Sequence, residues 1–310
     1  MEVYFSVVIP LYNKEAYVAK TLNSVLNQTY RNFEVIIVND CSTDNSLDVV
    51  KAARDHRIKI IEHSENKGLS ASRNTGINAA THLYIAFLDA DDYWDFTYLE
   101  TIVNLIKEYP EESVFATHYR ENYNDKFFVP RSNLPKISKG KMLLIRDFFK
   151  INSGRLILTQ SCIVVHKTVF EQIGYYDENV TFAEDIDFYI RCFHTYNLAY
   201  YNDVCHTQNA AISGSITNSV SHKKTFPKLH KYLNDSDSLD KFINFYTYCI
   251  YRRMKNESAK KEMRVYGKQI KYNSLSVLQI LFIYLPLPFY LFLIRVKKRL
   301  LNKGCHFSSY

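Results

Sequence analysis

Three carboxylates follow directly after an apolar run in the segment FLDADDYW, residues 87–94. Asp89 and Asp91 stand two residues apart, and such residues point to the same side of an extended chain. Two carboxylates on one side make an oxygen-rich site that suits a hard divalent cation, Mg²⁺ or Mn²⁺. Such an ion could bridge a diphosphate and stabilise it as it departs. A solvated turn that caps the next helix is the alternative, and the spacing alone does not decide between them.

Other polar side chains stand where a ligand could meet them. Asp40 ends an apolar run and could accept a hydrogen bond from a base or a ribose, or it could form a turn and helix cap with Ser42 and Asp44. Arg73 could reach a phosphate as a planar donor, although a lone arginine is more often a surface residue. His206 is a candidate third metal ligand, and a structural histidine is the more common case.

Glu184 and Asp185 open the segment AEDIDFYIRCFHTY, in which apolar residues recur at helical spacing. A carboxylate at a helix start is favoured by the helix dipole and could serve only as a cap. A functional Asp185 would instead be a general base that takes a proton from an attacking hydroxyl. This segment alone leaves both interpretations open.

The elements that must position these groups alternate over the first hundred residues. Short apolar runs predict strands at YFSVVIP, FEVIIVND, IKIIEH and LYIAFLD, and amphipathic segments between and after them predict helices. This order predicts an α/β protein with a parallel sheet covered on both faces. The polar segments PLYN, NDCSTD, NKGLSASRN and DADD, called the strand tips below, then meet at the edge where such sheets bind ligands.

Two nucleotide-binding patterns and two cysteine patterns are absent from the sequence. Neither G-x-G-x-x-G nor G-x-x-x-x-G-K-[ST] occurs, so a phosphate would have to be neutralised without a glycine-rich loop. The six cysteines form no C-x-x-C pair, which argues against a zinc ribbon or a redox motif. The first residues lack the basic region of a secretory signal, so we expect free thiols in a reducing cytoplasm.

The C-terminal region is basic, then apolar, then basic again. Residues 251–274 hold eight Lys or Arg against two Glu, and an apolar run fills residues 275–294 before RVKKRLLNK. A run of this length could just span a bilayer, but Gln279, Pro286 and Pro288 interrupt it. We therefore expect a kinked interfacial helix or hairpin that binds a membrane surface through residues 275–303, with a buried core helix as the alternative. The apolar run argues against nucleic acid as the partner.

Three blocks resemble a known family when they are taken together and in order: SVVIPLYNKEAYVAKTLNSVLNQTYRNFEVIIVNDCSTDNS, NKGLSASRNTGI and YIAFLDADDYW. They are similar to the family-2 inverting glycosyltransferases of the GT-A fold, strongly over residues 4–110 and more weakly over 164–191. The resemblance implies a Rossmann-like α/β domain with a mostly parallel central sheet and a helical C-terminal extension. Its implied parts are a nucleotide-sugar-binding half (1–112), an acceptor-binding half (113–212) and a membrane-associating region (213–310).

The resemblance also implies roles for individual residues. Asp185 would be the catalytic base with Glu184 beside it, and Asp91 with Asp89 would hold the divalent metal. An acceptor hydroxyl would attack C1 of a nucleotide sugar, expected to be a UDP-sugar, with inversion. The residues implied in nucleotide binding are Pro10, Tyr12, Glu15, Asp40, Arg73, Asp89 and Ala90.

Processive members of this family carry Q-x-x-R-W, which is absent because Trp94 of DADDYW is the only tryptophan. The resemblance therefore implies a single-addition enzyme that builds lipopolysaccharide, capsule or exopolysaccharide units on a lipid carrier, at the inner face of the cytoplasmic membrane. A nucleotidyltransferase is one alternative, but it would need a glycine-rich basic loop after the first strand. A non-catalytic nucleotide-sugar-binding module is another, and the intact Asp89, Asp91 and Asp185 argue against it.

Overall fold

A computed structural model describes residues 2–130, 133–134, 139–210, 212 and 224–302. Strands and helices alternate at the start of the chain, where the sequence predicted them. These first elements are β1 (Phe5–Leu11), α1 (Val18–Leu26), β2 (Phe33–Asn39), α2 (Ser46–Lys51), β3 (Ile58–Glu62), α3 (Leu69–Ala79) and β4 (Tyr84–Phe87).

The second half of the sheet domain is less regular than the first. It consists of β5 (Tyr93–Trp94), α4 (Tyr98–Glu108), β6 (Val114–Tyr123), β7 (Lys126–Phe128), β8 (Met142–Ile145), α5 (Phe148–Ile151), β9 (Ile163–His166), α6 (Thr168–Ile173), α7 (Glu184–Thr195) and β10 (Leu198–Asn209). Helices follow it: α8 (Asp237–Asn256), α9 (Lys260–Gly267), α10 (Val277–Tyr284) and α11 (Leu287–Asn302). The predicted start of the helical region, residue 213, lies outside the described residues.

The main sheet has the strand order β3-β2-β1-β4-β9-β6-β10-β5, with β7 beside β6 and β8 beside β10. The four strands β3, β2, β1 and β4 are mutually parallel, as the sequence predicted. The second half is mixed, because β9 runs antiparallel to both β4 and β6, whereas β10 is parallel to β6. A two-residue turn joins β6 to β7, and so short a connection permits only antiparallel pairing. The carboxyl ends of the four parallel strands place the strand tips along one edge.

The core under this edge is closely packed against helix α3. All seven residues of β1 are buried, and α3 buries a largely polar face against the sheet. A Cβ atom at Gly76 would overlap the side chain of Val8 on β1, so only glycine allows α3 to lie this close. Arg73 lies one turn earlier on the same helix and is thereby held deep at the sheet edge.

The C-terminal helices divide into a docked part and an exposed part. Helix α8 packs its apolar face into the main core through residues such as Phe242 and Met254. Helices α10 and α11 are separated by a break at residues 285–286, near the prolines that predicted a kink. No helix in the described part of the chain is long and apolar enough to cross a membrane.

The break between α10 and α11 is held by a buried lysine of α8. The Nζ atom of Lys255 donates to the backbone carbonyl oxygens of Phe282, Ile283 and Leu285, each at 2.8 Å. Three carbonyls that the end of α10 leaves without helical partners are thus satisfied by one ammonium group. Together α10 and α11 are called the C-terminal hairpin below.

Candidate active site

The first two strand tips are joined by hydrogen bonds between loops about thirty residues apart. The backbone N–H of Lys14 donates to Ser46 Oγ at 2.6 Å. The backbone N–H of Asn45 donates to a carboxylate oxygen of Glu15 at 2.9 Å. Tyr12, which precedes both contacts in the first tip, leaves 46% of its surface exposed. Glu15 therefore fixes the second loop, while the ring of Tyr12 stands open to a ligand.

Asp40 lies at the end of β2, where the sequence placed it, and it organises the third tip. One carboxylate oxygen contacts His63 Nδ1 at 2.7 Å and accepts from the Lys67 backbone N–H at 2.8 Å. The other accepts from the backbone N–H of Gly68 at 2.8 Å. Gly68 has a φ of 90°, which favours glycine, so the tip turns sharply around the carboxylate.

Two other predicted nucleotide-binding residues, Pro10 and Ala90, are buried at the ends of β1 and β4. The carbonyl oxygen of Ala90 accepts a hydrogen bond from Thr21 Oγ1 at 2.9 Å. These two residues shape the backbone of the first and fourth tips rather than offering a polar side chain.

Arg73 is buried between the fourth tip and the start of α7. One terminal nitrogen of its guanidinium lies 2.9 Å from Asp89 Oδ1 and the other lies 2.6 Å from Glu184 Oε1. Burial opposes the positive charge, but the two carboxylates outweigh it and raise the pKa of Arg73 further. Its Nε has no hydrogen-bond partner among the described residues, whereas Asp89 keeps 32% of its side chain exposed. The surface arginine considered from the sequence is instead the group that joins the predicted donor and base regions.

Asp91 is paired with a lysine that the sequence reasoning missed. The ammonium of Lys14 lies 2.5 Å from Asp91 Oδ2. Burial and the charge of Asp92 raise the pKa of Asp91 to about 6. The only sequence signal for Lys14 was its position directly after the first tip, PLYN.

The carboxylates at this edge fit a divalent cation only as part of a larger ligand set. Magnesium in proteins is commonly held by one or two carboxylates together with substrate phosphates. No group of three or more His, Cys, Asp or Glu in the described ranges is arranged to hold a metal. Asp91 and Asp89 could therefore hold Mg²⁺ or Mn²⁺ with a bound diphosphate supplying the remaining oxygen ligands. The metal stays a prediction.

His206, predicted as a third metal ligand, lies buried on β10 beside Asp92. Its Nε2 is 3.2 Å from Asp92 Oδ2, and its Nδ1 is 3.5 Å from Thr159 Oγ1. Burial lowers the pKa of His206, but the hydrogen bond to Asp92 outweighs burial and raises it to about 9. Both ring nitrogens thus have protein partners here, and the role of His206 as a metal ligand stays a prediction. Asp92 also accepts from Ser161 Oγ and from the Asn209 N–H, so it ties the fourth tip to β10.

Glu184 and Asp185 are the first two residues of α7. Ala183 before them has a φ of 61°, a left-handed conformation that costs a non-glycine residue about 1–3 kcal/mol and is typical of functional sites. The backbone N–H of Ile186 donates to Asp185 Oδ1 at 2.9 Å. Burial, followed by the negative charge of Glu184, raises the pKa of Asp185 to about 7. A carboxylate with this pKa is poised to accept a proton at neutral pH.

The comparisons with known proteins agree with this geometry. The family model described as Glycosyl transferase family 2 matches residues 6–174, which is more than half of the chain. The chain belongs to glycosyl transferase family 2. The matched range contains all four strand tips and ends before α7, so the family assignment does not depend on the predicted base.

Curated relatives of this family 2 chain are named as glycosyltransferases. Glycosyltransferase GlyA of Streptococcus pneumoniae is 42% identical over 125 residues, which are 40% of this chain and 18% of that protein. The Escherichia coli protein WfaP, named as a UDP-Glc:α-D-GlcNAc-diphosphoundecaprenol β-1,3-glucosyltransferase, is 38% identical over 141 residues, or 44% of this chain and 55% of WfaP. The chain thus spans about half or less of the length of these relatives.

The fold also matches that of solved structures. S. aureus TarS 1–349 in complex with UDP-GlcNAc aligns with a TM-score of 0.62 and 19% identity, covering 92% of this chain and 77% of TarS 1–349. The predicted GT-A fold class, an α/β domain around a central sheet with helices after it, is thereby confirmed. The division at residues 112 and 212 stays a prediction.

Proposed function

We propose that this family 2 protein is an inverting glycosyltransferase that moves one sugar from a UDP-sugar to a hydroxyl group of a lipid-linked or surface-polysaccharide acceptor. The family match supports sugar transfer. The UDP-sugar in the name of WfaP and the UDP-GlcNAc bound to TarS support the donor class. The diphosphoundecaprenol in the name of WfaP supports a lipid-linked acceptor.

The observation that carries this proposal is the buried Arg73 between Asp89 and Glu184. It ties the predicted donor-binding tip to the two residues that open α7. A donor held at the fourth tip would therefore meet the predicted base, Asp185, in a fixed arrangement. Fixing a reactant and a catalytic group in one geometry removes much of the entropic cost of their meeting.

In the proposed reaction, Asp185 takes the proton of the acceptor hydroxyl as its oxygen attacks C1 of the sugar. The bond between C1 and the diphosphate oxygen breaks, and its electron pair leaves with UDP. Attack opposite the leaving group inverts the configuration at C1. A divalent ion bound by Asp91 and Asp89 would supply positive charge to the departing diphosphate. Lys14, which pairs with Asp91 here, would share the carboxylate with that ion.

We also place the protein at the cytoplasmic face of the membrane, attached by the C-terminal hairpin. Several large apolar side chains of α10 and α11 are exposed: Val277, Leu278, Leu281, Tyr284, Phe289, Phe292 and Leu293. Arg295 and Arg299 follow on α11, and such basic groups favour anionic lipid headgroups. Leu281→Glu should weaken co-sedimentation with anionic vesicles, whereas Leu83→Glu, an exposed leucine before β4, should not. Equal sedimentation of both variants would refute the attachment.

The catalytic proposal is tested by replacing Asp185. A screen of UDP-sugars for Mn²⁺-dependent hydrolysis first identifies the donor. Asp185→Asn should then lower hydrolysis and transfer by about 10²–10⁴-fold, the usual contribution of a general base, while UDP affinity stays unchanged. Asp48→Asn makes the same chemical change on an exposed residue of α2 and is the matched control. Full activity of the Asp185 variant would refute the base, and a protein that binds UDP-sugars without turnover would be a binding module.

A further inference from the structure

Two cations lie against one aromatic ring close to the predicted base. Lys224 Nζ is 4.5 Å from the centroid of the Phe182 ring, and the guanidinium carbon of Arg253 is 4.2 Å from it. Each contact is a favourable cation–π interaction, but the two positive charges repel each other. Burial, and next the charge of Arg253, lower the pKa of Lys224 to about 8. The arrangement holds two partly buried positive charges together, which is the electrostatic condition for binding an anion.

The ring that gathers these cations is fixed near Asp185. Phe182 is three residues before Asp185, so their Cα atoms can be at most about 11 Å apart. The backbone N–H groups of Thr181 and Phe182 donate to the Thr225 carbonyl oxygen at 3.0 and 3.2 Å. The Thr225 N–H in turn donates to Thr181 Oγ1 at 2.9 Å. The segment that carries Lys224 is thus bound directly to the segment that leads to the base.

The carboxylates near Lys224 and Arg253 do not cancel the repulsion between these two positive charges. Glu257, after α8, favours the charged forms of both Lys224 and Arg253, and Glu184 also favours that of Lys224. The pKa of Lys224 nevertheless stays below its usual value, because burial and Arg253 outweigh both carboxylates. An added anion would offset this repulsion.

The last turn of α8 connects this cation pair to the C-terminal hairpin. Arg253 reaches Phe182 from that turn, and Lys255, two residues later, donates to the carbonyls at the break between α10 and α11. The end of α8 therefore lies between the C-terminal hairpin on one side and, on the other, the cation pair with the segment that leads to Asp185. A sugar carried on a membrane lipid through phosphate presents its parts in the same order: lipid, phosphate, sugar hydroxyl.

We propose that Lys224 and Arg253, gathered on Phe182, form a phosphate-binding subsite for the acceptor, so that the acceptor is a phosphate-linked sugar. This inference rests on the proposed function, since it assigns the acceptor of that reaction. A guanidinium binds two oxygens of one phosphate in a planar fork, and an adjacent ammonium adds a point charge. The donor diphosphate is assigned to different groups: Asp89 and Asp91, together with their partners Arg73 and Lys14.

The test measures anion binding, not turnover. Full-length protein saturated with UDP and Mn²⁺ is titrated with geranyl diphosphate or with glycerol 3-phosphate. We expect Arg253→Gln and Lys224→Gln to weaken binding at least about tenfold, since a charge-assisted contact is worth about 1.4 kcal/mol or more. Arg253→Lys should recover part of the affinity. Arg264→Gln, which removes a charge from an exposed position on α9, is the matched control and should bind as the unaltered protein does.

The two probes distinguish a lipid-carrier diphosphate from a single phosphate group such as that of a glycerol phosphate unit. Tighter Arg253-dependent binding of geranyl diphosphate assigns the first, and tighter binding of glycerol 3-phosphate assigns the second. Equal probe affinity in all variants would overturn the subsite, as would equal binding of uncharged geraniol. A parallel loss of UDP affinity in Arg253→Gln would assign the pair to the donor and overturn the inference. Failure of the Asp185→Asn experiment would leave these binding results standing, so the two proposals fail separately.

Discussion

Replacing Arg73 with methionine tests whether this buried arginine is what holds the site together. The change keeps most of the side-chain volume but leaves the carboxylates of Asp89 and Glu184 facing each other without a cation. Removing one partner of a buried ion pair costs about 3–5 kcal/mol. Asp89 is about one-third exposed, so water relieves part of its charge, and the lower end, about 3 kcal/mol, applies. For a chain of 310 residues that loss lowers the unfolding midpoint by about 5 °C.

The assay is calorimetric thermal unfolding at pH 8 and at pH 5. Because an unpaired buried carboxylate can take up a proton as pH falls, the loss in Arg73→Met should be largest at pH 8 and smaller at pH 5. Adding Glu184→Gln should restore part of the stability at pH 8, since one uncompensated charge is removed. Arg264→Met, on the exposed face of α9, should change the midpoint little at either pH. A loss of equal size at both pH values would mean that packing, and not charge, is what Arg73 supplies.

Three further predictions follow from other contacts. Lys14→Gln removes the ammonium beside Asp91, so Mn²⁺ affinity measured by calorimetry in the presence of UDP should rise about tenfold. A lower affinity would refute competition between lysine and metal. The raised pKa of His206 means that its pairing with Asp92 stabilises the fold fully below pH 6.5 and loses this effect as pH rises through about 9. The stability gap between the unaltered protein and His206→Gln should therefore shrink from pH 6 to pH 10, and a constant gap would contradict the pairing. Lys255→Met should speed amide hydrogen exchange in the C-terminal hairpin, while exchange in β1 stays unchanged.

The sequence predicted the parts of the site that local patterns determine. The ends of β1, β2 and β4 follow from short apolar runs, and these runs alone predict that Asp40, Asp89 and Asp91 lie at one edge of the sheet. The kink between α10 and α11 follows from prolines that cannot continue a helix. Each of these predictions uses residues only a few positions apart.

Contacts between distant positions could not be read from local patterns. Arg73 and Glu184 are 111 positions apart, and Lys14 and Asp91 are 77 apart. Helix α3 carries so many polar residues that its buried face looks like a solvent face in the sequence. The antiparallel β9 in the middle of the sheet pairs with β4, more than 70 residues earlier, and with β6, more than 40 residues earlier. A short stretch of sequence cannot predict pairings over such distances.

The close approach of α3 to β1 has a consequence for how such sequences can diverge. Gly76 sets the depth of the helix, and Arg73, one turn earlier, reaches its two carboxylates only from that depth. Any side chain at position 76 would push the helix outward and draw the guanidinium away from the sheet edge. The two positions should therefore change together among natural variants. A lineage that replaces Arg73 can also replace Gly76 with a larger residue, whereas a lineage that keeps Arg73 must keep the glycine.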